Sequence, residues 1–368
     1  MAQTVIHPHP NRQSGFSLVE LMVSMAIGLV ILLAIISMLV TSSRTQKELQ
    51  SSSDIEENGS YSINTLYEEL RHTGYFGHYF QSTPTTPATL PDPCAIDATS
   101  LLAAIALPIQ GYRATSKTGR PDISSTSCQT SYLPNANLQP GSDIIVIRRA
   151  DTAVLSGTPV TKEVYLQANV STAAIQFGSS TANVPSTTAD GGVVSINKRN
   201  GATVSAADTR KLHVTLFFVA PCSVGSGTNG ICTSSDDTIP TLKRLDLTAA
   251  SGATAMVITP VAEGVEFMKV LYGIDTDTAT NSQTGMVGSG VPSTYSNAPT
   301  LSQWTSVMSV QAWLLVRTLS QSAGQSDNKS YTLADITLTA TDLNTAYRRH
   351  LFSSEVRLTN LAGPRSLE

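Results

Sequence analysis

Charge is scarce in this chain. Asp, Glu, Lys and Arg make up 14% of its 368 residues and leave a formal net charge of -4. Without a surplus of lysine and arginine there is no field to grip nucleic-acid phosphates, so that class of partner is excluded. Proline is missing from residue 11 to residue 83, so nothing in that stretch breaks a helix. Catalytic motifs are missing too: there is no G-x-S-x-G, no H-E-x-x-H and no P-loop. One G-x-G-x-x-G occurs, at Gly225, Gly227 and Gly230. It runs into Cys232 rather than into a helical pattern, whereas a dinucleotide site needs a strand-to-helix turn with the pyrophosphate on the helix N-terminus. It reads as a loop between cysteines. No enzyme and no cofactor are expected.

What the chain does have is a long apolar run. From Phe16 to Val40 the sequence F-S-L-V-E-L-M-V-S-M-A-I-G-L-V-I-L-L-A-I-I-S-M-L-V carries a single ionisable side chain, Glu20. About 20 apolar residues at ~1.5 Å each cross the hydrocarbon of a bilayer. A carboxylate inside such a span costs roughly 2.5–3.5 kcal/mol and calls for a partner or a purpose. The preceding piece, Met1 to Gly15, is polar. Its His7 and His9 lie in H-P-H-P, which is extended and offers only two ligands, so it is no metal site. Arg12 on one flank and Arg44 with Lys47 on the other leave the span poorly oriented by charge alone. From Thr41 to Arg71 the composition turns polar but stays helical. Ile63, Leu66, Tyr67 and Leu70 form a stripe at helical spacing, extended thinly by Leu49 and Ile55. One helix is predicted from Phe16 to near His72, stopped by Gly74.

The junction G-F-S-L-V-E-L, Gly15 to Leu21, behind a polar leader and inside an apolar helix, resembles the type IV prepilin family. The resemblance implies that a prepilin peptidase cuts between Gly15 and Phe16 and that the new Phe16 amine is methylated. It implies a helix held first in the inner membrane and then in a filament core. Glu20, as the assembly residue, is expected to pair with the Phe16 amine of an adjacent subunit and so offset the cost of both charges; the alternative is a place near the headgroup interface, where it costs little. Many major pilins have a helix-kinking proline midway along the apolar half. Here Ser37 sits in that region, which disfavours a major-subunit role.

Further segments resemble the PilW family of minor pilins: E-E-L-R-H-T-G-Y-F-G (Glu68 to Gly77), Val265 to Asp277, Trp304 to Thr318 and Tyr347 to Leu361. The fold so implied is α+β and pilin-like, a long N-terminal helix packed on a large antiparallel β domain. Its parts would be a leader at 1–15, a transmembrane half-helix at 16–40, an amphipathic half-helix at 41–73 and an extracytoplasmic domain at 74–368. The implied function is a minor pilin that primes type IV pilus assembly at or near the tip. The implied partners are other minor pilins, the major pilin, the prepilin peptidase, the inner membrane and a tip adhesin. Its location would be the inner membrane with a periplasmic domain, then the extracellular pilus. A J-type pseudopilin of type II secretion shares this plan. A membrane-anchored extracytoplasmic binding protein shares only the anchor.

The remaining residues fill in that domain. G-Y-F-G-H-Y-F, Gly74 to Phe80, is expected to be a tight turn whose rings plug the helix end into the core, with His78 a packing histidine. Four cysteines beyond a membrane span point to an oxidising compartment. They permit three pairings. Nearest-neighbour bridges, Cys94–Cys128 and Cys222–Cys232, let each pair close its own loop, and neither pair has zinc spacing. Residues 82–140 are rich in Pro, Ser and Thr and show little periodicity. Strands are predicted at 143–149, 160–166, 193–197, 211–220, 241–247, 255–259, 265–274 and 307–318, a short helix at 342–349 and a closing strand at 353–361. Asp275 and Asp277 are weak calcium candidates. The EF-hand glycine and terminal glutamate are missing, so a solvated turn is the preferred reading.

Overall fold

The computed structural model describes residues 15, 17–80, 86–179, 186–187, 193–194, 196–200, 203–322, 324 and 326–366. Two compact units meet in sequence at Ser52 and Ser53. Helix α1, Leu18–Arg71, runs without interruption through that boundary, as a proline-free sequence allows. In the first unit its Leu, Ile, Val and Met side chains from Leu18 to Val40 are all 45–76% exposed. The hydroxyls there turn inward on the helix: Ser37 Oγ donates to the Ala34 carbonyl at 2.8 Å and Thr41 Oγ1 to the Ser37 carbonyl at 2.9 Å. They are satisfied without water, which a helix in lipid requires.

In the second unit α1 buries Ile55, Gly59, Ser62, Leu66 and Leu70, at intervals of three and four residues. The stripe is rotated from the expected one. Tyr67 is 38% exposed and Leu49, which lies in the first unit, is 67% exposed, while the small residues Gly59 and Ser62 face inward.

Two antiparallel sheets follow. The first joins β1 (Ile109–Tyr112), β2 (Ile144–Ala150), β3 (Val164–Ala168), β4 (Ala173–Phe177), β5 (Thr209–Ala220), β6 (Thr241–Ala250) and β7 (Ala253–Glu263), in the path β1-β2-β5-β6-β7 with β3 between β4 and β5. The second joins β8 (Val265–Ile274), β9 (Thr294–Ser296), β10 (Val307–Arg317) and β11 (Arg349–Arg357), in the order β9-β8-β10-β11. Gly264 alone separates β7 from β8. Its φ of +83° carries the chain from one sheet to the other, and a Cβ there would lie 2.6 Å from the Arg317 carbonyl oxygen.

Alternation along β2 assigns the layers. Ile144, Val146 and Ala150 enter a core beneath the loops, whereas Ile145 and Ile147 enter the core shared with β8, β10 and α1. Strands covered on both faces read as near-continuous apolar runs, which is why β2, β5, β8 and β10 are visible in the sequence.

Several expectations change. Residues 342–348 form turns and bends rather than a helix, and Arg349 already belongs to a strand. The Arg349 guanidinium takes the Asn344 and Tyr347 carbonyls at 3.0 and 3.1 Å, the groups a helix would need. The closing strand is Arg349–Arg357, followed by a helical turn at Thr359–Ala362. The strand expected at 160 begins at Val164, and the run at 193–197 gives Val193–Val194 and Asn197–Asn200 to two small hairpins. The loop-rich stretch holds a short helix, Ala98–Ala104, whose Asp97 side chain accepts from the Ser100 N–H at 2.9 Å.

Candidate functional site

Three features carried chemistry in the sequence: the N-terminal junction with Glu20, the cysteine pairs, and the Asp275 loop. Gly15 is exposed and precedes α1, while Phe16 and residues 1–14, the rest of the expected leader, lie outside the described residues. Helix hydrogen bonding begins with the Leu21 N–H on the Ser17 carbonyl at 3.1 Å. Glu20 therefore stands in the first turn, where the helix dipole favours a negative charge. It is exposed, and among the described residues no cation pairs with it. The surface around it is leucine, valine and methionine. This is a lone carboxylate on an apolar helix, able to take a cation at the same depth.

Within the second unit the end of α1 is pinned by charge. Arg149 on β2 holds Glu69 with two hydrogen bonds, 2.8 and 3.2 Å. Burial pushes the Glu69 carboxyl up, and the Arg149 bond and charge more than reverse it, leaving it below the usual glutamate value. Gly74 ends the segment at φ +75°, its N–H on the Arg148 carbonyl at 3.0 Å. Phe76 is buried in the core, as a plug should be. His78 is not a packing histidine. Its side chain is 59% exposed, 3.6 Å from Asp208, because Gly77 turns it outward at φ +69°.

Cys94 is bonded to Cys128 and Cys222 to Cys232, with Cα separations of 5.2 and 5.8 Å. The glycine motif lies in the second of these loops, where Gly225 packs against the Gly230 carbonyl and leaves no cradle for a phosphate. Sequence reasoning missed Lys243. It is 1% exposed, and its Nζ lies 3.7 and 3.8 Å from the two sulfurs of the Cys222–Cys232 bridge. Burial lowers its pKa, with Asp237 and Asp236 opposing at longer range. Lys269 was missed as well: fully buried, it donates to Asp143 at 2.6 Å. Lys243 alternates in phase with Leu245 and Leu247, and Lys269 with Phe267 and Leu271, and that shared face was the signal in the sequence for their burial.

The family model for type IV pilus-assembly protein W matches residues 223–360, and that for the prokaryotic N-terminal methylation motif matches residues 10–36. Over these two segments the chain is similar to type IV pilin-like proteins of the PilW family. No curated protein and no solved structure matches it. The PilW match contains the whole second sheet. The segments at 265–277, 304–318 and 347–361 that resemble the family supply β8, β10 and β11, three adjacent strands of that sheet. The methylation-motif match contains Gly15 and Glu20.

Asp275 and Asp277 do not converge. Asp275 is 4% exposed and accepts from the Gly290 N–H at 2.8 Å and the Asp277 N–H at 3.0 Å, with Arg365 Nη1 at 3.9 Å. Asp277 is exposed and caps the Ala279 N–H at 3.0 Å. A cation at Asp275 would compete with a guanidinium. Among the described residues no group of three or more His, Cys, Asp or Glu could hold a metal.

Proposed function

We propose that this protein is a minor pilin that helps prime a type IV pilus and is built in at or near its tip. In this reading a prepilin peptidase cuts between Gly15 and Phe16, the Phe16 amine is methylated, and the chain waits in the inner membrane with its β domain in the periplasm. Other minor pilins, the major pilin and a tip adhesin are its partners. The observation that carries the reading is Glu20. It is the only ionisable side chain between Leu18 and Val40, on a helix whose apolar side chains there are all exposed. A carboxylate on that surface is stable in an apolar bundle only beside a cation, and in this reading the processed amine of an adjacent subunit supplies one at similar depth. The pair would set the axial register between subunits.

A helix without a mid-span proline and with a large domain suits a scarce subunit, since its bulk does not have to repeat along a fibre. No chemistry of its own is needed for that role. The test is Glu20→Gln with the junction untouched. The expected result is normal processing, weaker co-purification with partner pilins and fewer surface pili. Wild-type piliation and partner recovery in that variant would refute the pairing, and unchanged piliation after removal of the whole protein would refute priming.

A further inference from the structure

Where G-Y-F-G-H-Y-F leaves α1, the second unit has a small cleft of about 80 Å³ that opens to solvent. Segments far apart in sequence wall it. Phe76, Tyr79 and Phe80 come from the aromatic turn, Trp304 from the turn before β10, and Leu361 and Arg365 from the C-terminal helical turns. Arg365 is the one charged group among the described residues that line it.

Arg365 is unusually placed for a guanidinium. It is 7% exposed, and its Nη2 donates to the Thr305 carbonyl at 2.7 Å. Its Nη1 stands 3.9 Å from Asp275, beyond hydrogen-bond length, and its Nε has no hydrogen-bond partner among the described residues. The Asp275 carboxylate is itself occupied by the N–H groups of Gly290 and Asp277. A buried cation with a spare donor leaves a desolvation cost that an incoming acceptor would remove. The rest of the wall is mostly apolar, rings with Ile105, Met286 and Leu361, and includes Thr305 and Asn360, which favours a flat or branched apolar group.

We propose that this cleft binds the C-terminal residue of a partner polypeptide, its apolar side chain among the Phe76, Tyr79, Phe80 and Trp304 rings and its terminal carboxylate on Arg365. A chain end carries its carboxylate and its apolar side chain on the same carbon, so both reach a site of this size. An internal Asp or Glu would bring two backbone strands, and its carboxylate stem has no apolar bulk beside it. The site is remote in sequence from Glu20, so its failure would leave the minor-pilin reading untouched.

The full-length chain in detergent micelles, titrated with fluorescent tripeptides Gly-Gly-Phe and Gly-Gly-Leu, tests it by anisotropy. The free acids should bind, and C-terminal amidation should weaken them about tenfold or more, the loss of one charge-assisted hydrogen bond. Arg365→Gln should bring acid and amide to equal affinity, whereas Tyr79→Ala should weaken both alike. Equal affinity for acid and amide in the wild type, no binding of either peptide, or an acid preference that survives Arg365→Gln would overturn the assignment. Decanoate binding in place of both peptides would overturn the chain-end ligand in favour of a free fatty acid. The acid-against-amide comparison is made on the unmodified protein and stands even where Arg365→Gln does not fold.

Discussion

The ring of Phe352 on β11 fills the space that a side chain at Gly59 would need. Gly59 lies within α1, where glycine costs about 1 kcal/mol relative to alanine. The contact reverses that preference, because any Cβ at residue 59 would overlap the ring. Gly59→Ala is therefore expected to lower stability by up to about 2 kcal/mol, the overpacking loss less the propensity gain. Phe352→Leu should recover much of the loss in the double variant. Thermal unfolding of the full-length protein in detergent checks both, and a raised Tm for Gly59→Ala would contradict the packing account.

The contrast between Gly59 and its neighbours shows what the sequence could and could not reveal. Leu66 and Leu70 announced a buried helix face by their spacing, but Gly59 and Ser62 carry no hydrophobic signal although both are buried. Likewise I-I-V-I at 144–147 is plainly a strand because two layers bury it, while the short β4 and β9 lack such a run. Lys243, Lys269 and Arg148 were hidden for the opposite reason. Each is of a residue type usually met at the surface, and each is buried by a layer that comes from elsewhere in the chain. The cleft was legible only as an aromatic cluster, since Trp304, Leu361 and Arg365 join it from more than 200 residues away.

Arg149 should matter most near neutral pH. Glu69 is ionised above the usual 4.5 of a glutamate, and its folded value is lower still. Its pairing energy is thus present at pH 7 and is lost as pH falls through that folded value. Arg149→Met should cost about 2 kcal/mol at pH 7, with a partly buried carboxylate left unpaired. The gap from wild type should narrow at about pH 4 as Glu69 protonates in the variant. His213, held low by burial and by Arg149, would also be freed to charge and take over as partner. A gap that stays constant from pH 7 to pH 4 would show that packing, not charge, links α1 to β2.

The two disulfides should not be equivalent. Cys94 and Cys128 are 34 residues apart and Cys222 and Cys232 are 10 apart. Chain-entropy scaling gives about 4 kcal/mol for the first and about 3 for the second. Lys243 adds a separate effect. Its amine is depressed by burial, so the folded state is penalised for keeping it charged, and the penalty eases as pH rises towards its usual 10.5. Lys243→Met, which removes a buried charge whose near contacts are sulfurs, should stabilise by about 1–2 kcal/mol at pH 7. That advantage should shrink at alkaline pH. A destabilised Lys243→Met would mean that the ammonium is held by more than the sulfurs and the two distant aspartates.

Maturation ties the N-terminal features together. Gly15 is exposed and lies ahead of the first helical residue, Leu18. Intact-mass measurement of membrane-extracted protein should give a chain that begins at Phe16 and carries one added methyl group. A mature chain that begins elsewhere would refute the junction. Gly15→Leu is expected to leave the leader in place, so that Glu20 persists but the amine it is proposed to meet never forms. Two groups acting as one pair are non-additive when removed. Gly15→Leu and Glu20→Gln should therefore each impair partner association to a similar degree, and the double variant should be no worse than either. Additive defects would instead mean that the carboxylate and the new amine act separately, which would leave Glu20 without its proposed partner.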